Sequence, residues 1–381
     1  MRFFHLADLH IGKRLNEFEL LDDQQHILRQ IIELAAERRP QAIVIAGDVY
    51  DKAAPAAEAY SLYDQFITEL ARLDQPLLLI SGNHDSPERL GCGSRIMAAQ
   101  NVHIAGVFSG TAERVAIADG EGETLFWLLP FVRPAQVRRY YPEQRIDSYD
   151  EALRTVLQAT PPVSGRLNVL VAHQFVTAAG LQPERSDSEQ ISVGGLDNID
   201  AGAFCGYDYV ALGHLHRAQS IGAPHIRYAG SPLKYSFSEA TQQKSLTEVE
   251  LHYGAEPRIE LLPLTPRRDL REIRGSLEQL TQPEVYQQAD TADYLHVTLT
   301  DEADLLDPLG VLRAVYPNIM RLDYDNSRYA EIKSSTAADA VTEKSAEQLF
   351  RDFYKLQQNI DLEPEKEIIV SELLQRLRGE R

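Results

Sequence analysis

Short apolar runs recur through the first 216 residues, and each ends in a polar side chain able to hold a metal. Phe3-Phe4-His5-Leu6 runs into Asp8 and His10, and Ile43-Val44-Ile45-Ala46 into Gly47-Asp48. Leu77-Leu78-Leu79-Ile80 runs into Gly82-Asn83-His84-Asp85, Val169-Leu170-Val171 into His173, and Tyr209-Val210-Ala211-Leu212 into Gly213-His214-Leu215-His216. Runs this short read as strands. The stretch from Glu17 to Arg39 has helical spacing instead, with Leu20, Leu21, Leu28, Ile31, Ile32 and Leu34 apolar among charges. Leu62, Phe66, Ile67 and Leu70 repeat that spacing between the second and third runs. Strands separated by helices predict an α/β sheet carrying its site at the strands' carboxyl ends. After His216 the pattern is strand-rich, at Ile226 to Ala229 and Leu246 to His252. The core is therefore expected to be two sheets in a sandwich, flanked by helices.

Leu262-Pro263-Leu264-Thr265-Pro266-Arg267-Arg268 reads as a linker, because two prolines interrupt a regular ladder. It separates an expected domain at 1–265 from a small α/β capping module at 266–335. That module should hold strands at Tyr294 to Thr300 and Ile319 to Tyr324 and a helix at Asp307 to Val315. A tether at 333–338 spans the boundary to the last segment, 336–381, which carries a helical pair. Ser345 with Gln348 forms an expected capping box for the first helix, and Pro364 opens the second. These helices carry large apolar groups, including Phe350, Phe353, Ile369 and Leu373, and should bury a face on a partner or on their own core.

Composition narrows the class. The 381 residues suffice for one large core and accessory modules, and 44% hydrophobic with 25% charged residues is ordinary for a globular protein. No run approaches bilayer-spanning length, and the chain enters a strand directly, so a cytoplasmic, nucleoid-associated protein without a membrane segment is expected. Cys92 and Cys205 make no CxxC pair and no disulfide framework. A formal charge of −19 counts against a protein that coats nucleic acid through its bulk field. Divalent cations can still make an enzyme's site locally positive. Arg133, Arg138, Arg139 and Arg145, with Tyr140 and Tyr141 between them, form a local cationic stretch suited to a phosphate backbone or simply to solvent.

Carboxylates, an amide and imidazoles at successive strand ends are what a two-metal hydrolytic centre requires. Singly, each has a structural reading: the aspartates as helix caps, the histidines as hydrogen-bonded residues, Asn83-His84-Asp85 as a turn. Together they are hard to explain so. If Asp8 and His10 stay extended, residues i and i+2 point to one face and both reach one pocket, and His214 and His216 repeat the device. Gly47, Gly82 and Gly213 should permit the tight backbone as each strand turns outward. Asp48 is the expected bridge between two ions, being the carboxylate besides Asp8.

The spellings Asp8-Leu9-His10, Gly47-Asp48, Gly82-Asn83-His84-Asp85, His173 and Gly213-His214-Leu215-His216 resemble the metallophosphoesterase superfamily. Gly47-Asp48-Val49-Tyr50-Asp51, Ala211-Leu212-Gly213-His214-Leu215-His216-Arg217 and Tyr228-Ala229-Gly230-Ser231-Pro232 are similar, more particularly, to its bacterial nuclease subunits. The resemblance covers about residues 1–265. It implies one metal on Asp8, His10, Asp48 and His216 and another on Asp48, Asn83, His173 and His214. The mixed oxygen and nitrogen donors suit two Mn²⁺ ions, with Mg²⁺ as a substitute. It further implies that His84 assists the leaving oxygen, with Asp85 orienting its ring. Asp51 stands where some relatives have a histidine.

The implied activity is cleavage of DNA at double-strand ends and hairpins. A homodimer, with an apolar face near residues 60–100, and an SMC-like ATPase are the implied partners. A phosphoesterase for small nucleotides or diesters and a non-catalytic DNA-tethering subunit are the alternatives. The DNA-contacting residues are not specified at this level.

Overall fold

The computed structural model describes residues 1–326 other than 121, 179 and 190–197, together with scattered positions between 348 and 373. Two six-stranded sheets form the main body. The first runs in the order Arg258–Pro263, Ser245–Glu250, Arg2–Leu6, Ala42–Ala46, Leu77–Ile80, Val102–Ala105. Its last four strands are mutually parallel, and the first two are antiparallel additions. The second runs Gln219–Ile221, Ala223–Tyr228, Tyr209–Gly213, Leu167–His173, Glu123–Leu129, Glu113–Ala118, with four parallel central strands and one antiparallel strand at each edge. The expected sandwich is what the chain forms.

The apolar runs lack polar alternation because both faces of the central strands are covered. In Ala42–Ala46 all five residues are buried. Ile43 and Ile45 face an outer core with Ile27, Ile31, Phe66 and Leu70 of helices Leu21–Arg38 and Ala57–Ala71. Val44 and Ala46 face the inner core, where Phe3, Phe126 and Tyr209 meet edge to face at 5.4 and 5.6 Å. A third core packs helix Tyr149–Ala159 on the outside of the second sheet through Leu153 and Val156.

Three local readings differ from expectation. The helix expected from Glu17 begins at Leu21, because Arg14–Leu15 and Phe18–Glu19 pair as a small hairpin. Asn16 and Glu17 take left-handed conformations at its turn, where the flanking twist demands them. The expected linker starts as strand: Leu262 and Pro263 belong to Arg258–Pro263, and Leu262 and Leu264 are buried. That strand lies at the sheet edge, where a proline forfeits no ladder bond. The hairpin Glu113–Ala118 and Glu123–Leu129 was not anticipated.

The chain forms two compact units. The first takes Met1–Glu272, Asp290–His296 and Asn318–Arg321; the second takes Ile273–Ala289, Val297–Pro317 and Leu322–Arg381. The expected strand from Tyr294 is Tyr294–Leu299, the expected helix is Pro308–Arg313, and Ile319–Tyr324 forms as read. These two strands join Leu270–Gly275 in a three-stranded sheet. Asp307 caps the helix by accepting from Gly310 N at 3.1 Å. Ser345, Phe353, Pro364 and the tether at 333–338 lie outside the described residues. The described positions of the last segment, among them Phe350, Arg351, Tyr354, Glu367, Ile369 and Leu373, are helical, and Arg351 pairs with Glu367 at 2.9 Å. Among the described residues no helix is long and apolar enough to cross a membrane.

Candidate metal centre

All seven expected donors sit at or just beyond carboxyl ends of parallel strands, His173 as the last residue of Leu167–His173, the edge where open α/β sheets place their sites. They converge differently from expectation. Asp8, His10, Asp48 and His214 have φ values of 54°, 44°, 50° and 105°. Neither Asp8 nor His10 is extended, so the i, i+2 strand alternation does not operate, and the chain aims these side chains through left-handed turns. Such conformations are costly outside glycine and cluster where geometry is imposed by function. Backbone bonds from Asp8 N to Gly47 O (3.1 Å) and His10 N to Asp48 O (3.0 Å) lash the first two junctions together. Gly82 and Gly213 serve close approach: a Cβ on Gly82 would meet Asp48 Oδ1 at 2.1 Å, and one on Gly213 would meet Ala46 O at 2.0 Å.

The donors form an unbroken chain of contacts. His216 Nε2 lies 3.1 Å from His10 Nε2, and His10 Nε2 lies 3.7 Å from Asp48 Oδ2. Asp48 Oδ2 is 3.3 Å from His173 Nε2. His173 Nε2 is 3.1 Å from Asn83 Oδ1, which is 2.9 Å from His214 Nδ1. Asp8 has donor atoms within 4.8 Å of those of His10 and His216, and of those of Asp48 and His173. Neighbouring ligands at right angles around an ion about 2.1 Å away stand about 3 Å apart, so these spacings fit a shared cation. Asp48 occupies the middle of the chain, as a bridging carboxylate must.

Tautomers and charges agree with that fit. His173 Nδ1 donates to Ala46 O at 2.8 Å, since a carbonyl can only accept, and its Nε2 is the nitrogen that faces Asp48 and Asn83. Ser188 Oγ donates to Glu239 Oε1 at 2.8 Å, so His216 Nδ1 donates to Ser188 Oγ at 2.8 Å and leaves Nε2 free toward His10. Two imidazole nitrogens opposed at 3.1 Å need a proton or a cation between them. Burial pushes the Asp8 carboxyl up to about 7, with His173 and His216 opposing it. Burial also drives His214 down to about 3 and His10 well below its usual value, keeping both neutral. Against its own burial, Asp48 is held well below the carboxylate range by His173 and His10; against burial, His173 is held up to about 9 by Asp48. Buried carboxylates, the neutral rings of His10 and His214, and a His173 proton that a divalent cation would displace make a donor set such an ion would complete.

His84 is half-buried beside the donors, its ring edge-on to His10 at 4.8 Å. Its backbone N–H donates to Asp48 Oδ1 at 2.9 Å, and its Nδ1 donates to Asp51 O at 2.9 Å. The Asp51 carbonyl therefore orients the ring, which corrects the role expected of Asp85. The buried Asp85 carboxylate instead accepts from Val49 N (3.1 Å), Tyr50 N (2.9 Å) and Gly82 N (2.9 Å), tying the second and third junctions together. Its pKa rises to about 6 through burial and the nearby Asp48. The Asp51 side chain pairs with Lys13 at 2.8 Å.

Sequence reasoning missed the group behind His216. Glu239, fully buried, lies 3.4 Å from His216 Nδ1 and 2.6 Å from Lys244 Nζ. Lys244 also donates to His216 O at 2.8 Å, and Glu189 accepts from His216 N at 2.7 Å. No strand-end spelling marks Glu239; the general need for a carboxylate behind a ligating histidine was the available signal. Glu239→Gln should weaken metal binding by about 10- to 100-fold, the usual cost of losing such a partner. Isothermal titration with Mn²⁺ would check it, and unchanged affinity would refute the role.

Residues 1–218 match the calcineurin-like phosphoesterase family, and residues 266–358 match a family described as the type 5 capsule protein repressor C-terminal domain. The chain belongs to the calcineurin-like phosphoesterases and is a metal-dependent phosphodiester hydrolase of that family. The SbcD subunit of the SbcCD nuclease from Staphylococcus epidermidis is 33% identical over 343 residues, 87% of this chain and 89% of that protein. That likeness falls within the SbcD branch of the family. Among solved structures, a Thermus thermophilus protein has 15% identity and a TM-score of 0.38, covering 64% of this chain and 92% of its own. A dimetal phosphatase from Danio rerio has 12% identity and a TM-score of 0.41, covering 70% and 99%.

Proposed function

We propose that this chain is the Mn²⁺-dependent nuclease subunit of an SbcCD-type complex, cutting double-stranded DNA ends and hairpins beside an SbcC-type SMC-like ATPase. The observation that carries the reading is the continuous donor chain His216, His10, Asp48, His173, Asn83, His214, with Asp8 joining it at His10 and Asp48. Asp8, His10, Asp48 and His216 are assigned to one ion, and Asp48, Asn83, His173 and His214 to the other. When bound, the ions supply Lewis acidity at the phosphodiester and lower the pKa of a water. The chain's own residues set the geometry. Asp48 spaces the two donor groups, and Glu239 and the Ala46 carbonyl fix ring tautomers. His84, its Nδ1–H engaged by Asp51, presents Nε2 as the nitrogen able to give a proton to the departing oxygen.

Three segments are assigned with this reading: the nuclease domain at 1–265, a capping domain at 266–335, and at 336–381 helices that dock on the ATPase. The second family match at 266–358 supports an accessory module, which a small diester would not require. A homodimer belongs to the same proposal.

Purified full-length chain with Mn²⁺ should cut hairpin oligonucleotides and duplex ends, and a chelator should abolish cutting. Hydrolysis confined to bis(p-nitrophenyl) phosphate would instead establish a small-diester phosphoesterase. Binding of DNA without hydrolysis of either substrate would establish a tethering subunit.

A further inference from the structure

The second sheet delivers more than metal donors to the centre. Beyond Leu129 the chain continues through Phe131 to Arg133, and beyond His173 through Phe175 toward Arg185. The Phe131 ring stands edge-on to His173 at 6.4 Å and 84°, and the Phe175 ring stands edge-on to His214 at 6.3 Å and 74°. His173 and His214 are themselves neighbours, 5.3 Å between centroids. Each phenylalanine carries an arginine on its face, with Arg133 Cζ and Arg185 Cζ both 5.7 Å from the ring centroids. One arrangement thus occurs twice: imidazole, phenyl ring, guanidinium.

Both guanidiniums are exposed, and among the described residues neither has an ion-pair partner. Of the nearby arginines, Arg139 also lacks an ion-pair partner among the described residues but lies over no ring, and the others are engaged. Arg138 and Arg145 lie against Asp147, and Arg217 pairs with Glu184. On a chain of net charge −19, two unneutralised cations held one ring away from the centre are unexpected as mere solubilising groups. Stacking on a ring fixes the plane of a guanidinium and leaves its donor fork free, the form that grips phosphate bidentately. Because the arginines cover the phenyl faces, those faces are not available as platforms for bases.

We propose that Arg133 and Arg185 hold the phosphates next to the scissile one, on the side of the centre formed by His173 and His214. The contact is to the sugar–phosphate backbone, so it positions a strand of any sequence. This assignment rests on the nuclease reading above.

The test is duplex binding by the full-length chain without activating metal, followed by fluorescence anisotropy across a salt series. Wild type should bind. Losing both contacts in R133A/R185A should raise Kd on the order of 10- to 100-fold and make the slope of log K against log salt shallower by about 1.8. R133K/R185K should restore the slope, because it restores the charge, while Arg145→Ala should leave Kd within about twofold as a control. In Mn²⁺, loss of turnover by R133A/R185A should be at least about tenfold greater on duplex than on bis(p-nitrophenyl) phosphate. An unchanged Kd and slope, a slope that lysine fails to restore, or equal loss on both substrates would overturn the assignment and leave the nuclease reading standing. A wild-type chain that hydrolyses the diester but neither binds nor cuts duplex would overturn the nuclease reading itself.

Discussion

Asp48→Asn is expected to reduce hairpin cleavage in saturating Mn²⁺ by on the order of a thousandfold or more, the loss seen when charge stabilisation at a reacting centre is removed. The amide keeps the carboxylate's shape and removes its charge. Asp48 stands between His10 and His173, 3.7 and 3.3 Å away, and no other carboxylate among the described residues touches both. Its other oxygen accepts the His84 N–H at 2.9 Å. An asparagine can retain that bond or the His173 contact through its single oxygen, and its NH₂ faces the remaining partner. Metal content after equilibrium dialysis should therefore fall together with turnover. His173 also loses the charge that holds its pKa up, so its ring should no longer titrate near 9 by NMR in the metal-free protein. Turnover within tenfold of wild type, with metal content unchanged, would remove Asp48 from the bridging position.

How much of this could be read from the chain depends on where each residue type can occur. The central strands were legible because burial on both faces leaves uninterrupted apolar runs, as in Ile43 to Ala46 and Leu77 to Ile80. Helix Ala57–Ala71 was legible from Phe66, Ile67 and Leu70, which do face the core. Leu125 to Leu129 of strand Glu123–Leu129 is as apolar as any of these, yet Leu129 leads to Pro130 and Phe131 rather than to a metal donor, so a reading guided by donors passed over it. The donors themselves stood out because carboxylates and imidazoles seldom follow apolar runs five times in order. Their manner of convergence did not, since left-handed φ at Asp8, His10 and Asp48 is imposed by tertiary bonds between junctions. Asp85 shows the same limit. Adjacency suggested that it serves His84, but its carboxylate is used up by three backbone N–H groups, two of them from another junction. Glu239 lies on a short turn, Phe237–Glu239, and reaches His216 only through the fold.

His84→Gln separates proton transfer from metal binding. The proposed role predicts kcat on hairpin DNA lower by about 10²- to 10⁴-fold, the range for a positioned general acid. Metal stoichiometry and duplex affinity should stay near wild type, because the His84 ring meets the seven donors only edge-on at His10, 4.8 Å between centroids, and its hydrogen bond goes to Asp51 O instead. The ring's own anchor, Nδ1 to Asp51 O at 2.9 Å, lies on the side away from any proton donation by Nε2. Glutamine can keep a bond to that carbonyl but supplies no titrating nitrogen. The loss should also depend on the leaving group: a 4-nitrophenyl diester, whose phenolate departs without a proton, should be cut with a much smaller penalty than DNA, whose alkoxide needs one. Equal losses on the two substrates would mean that His84 positions the phosphate instead. A fall in bound metal matching the fall in rate would make it a ligand, and the assignment of protonation to this side chain would fail.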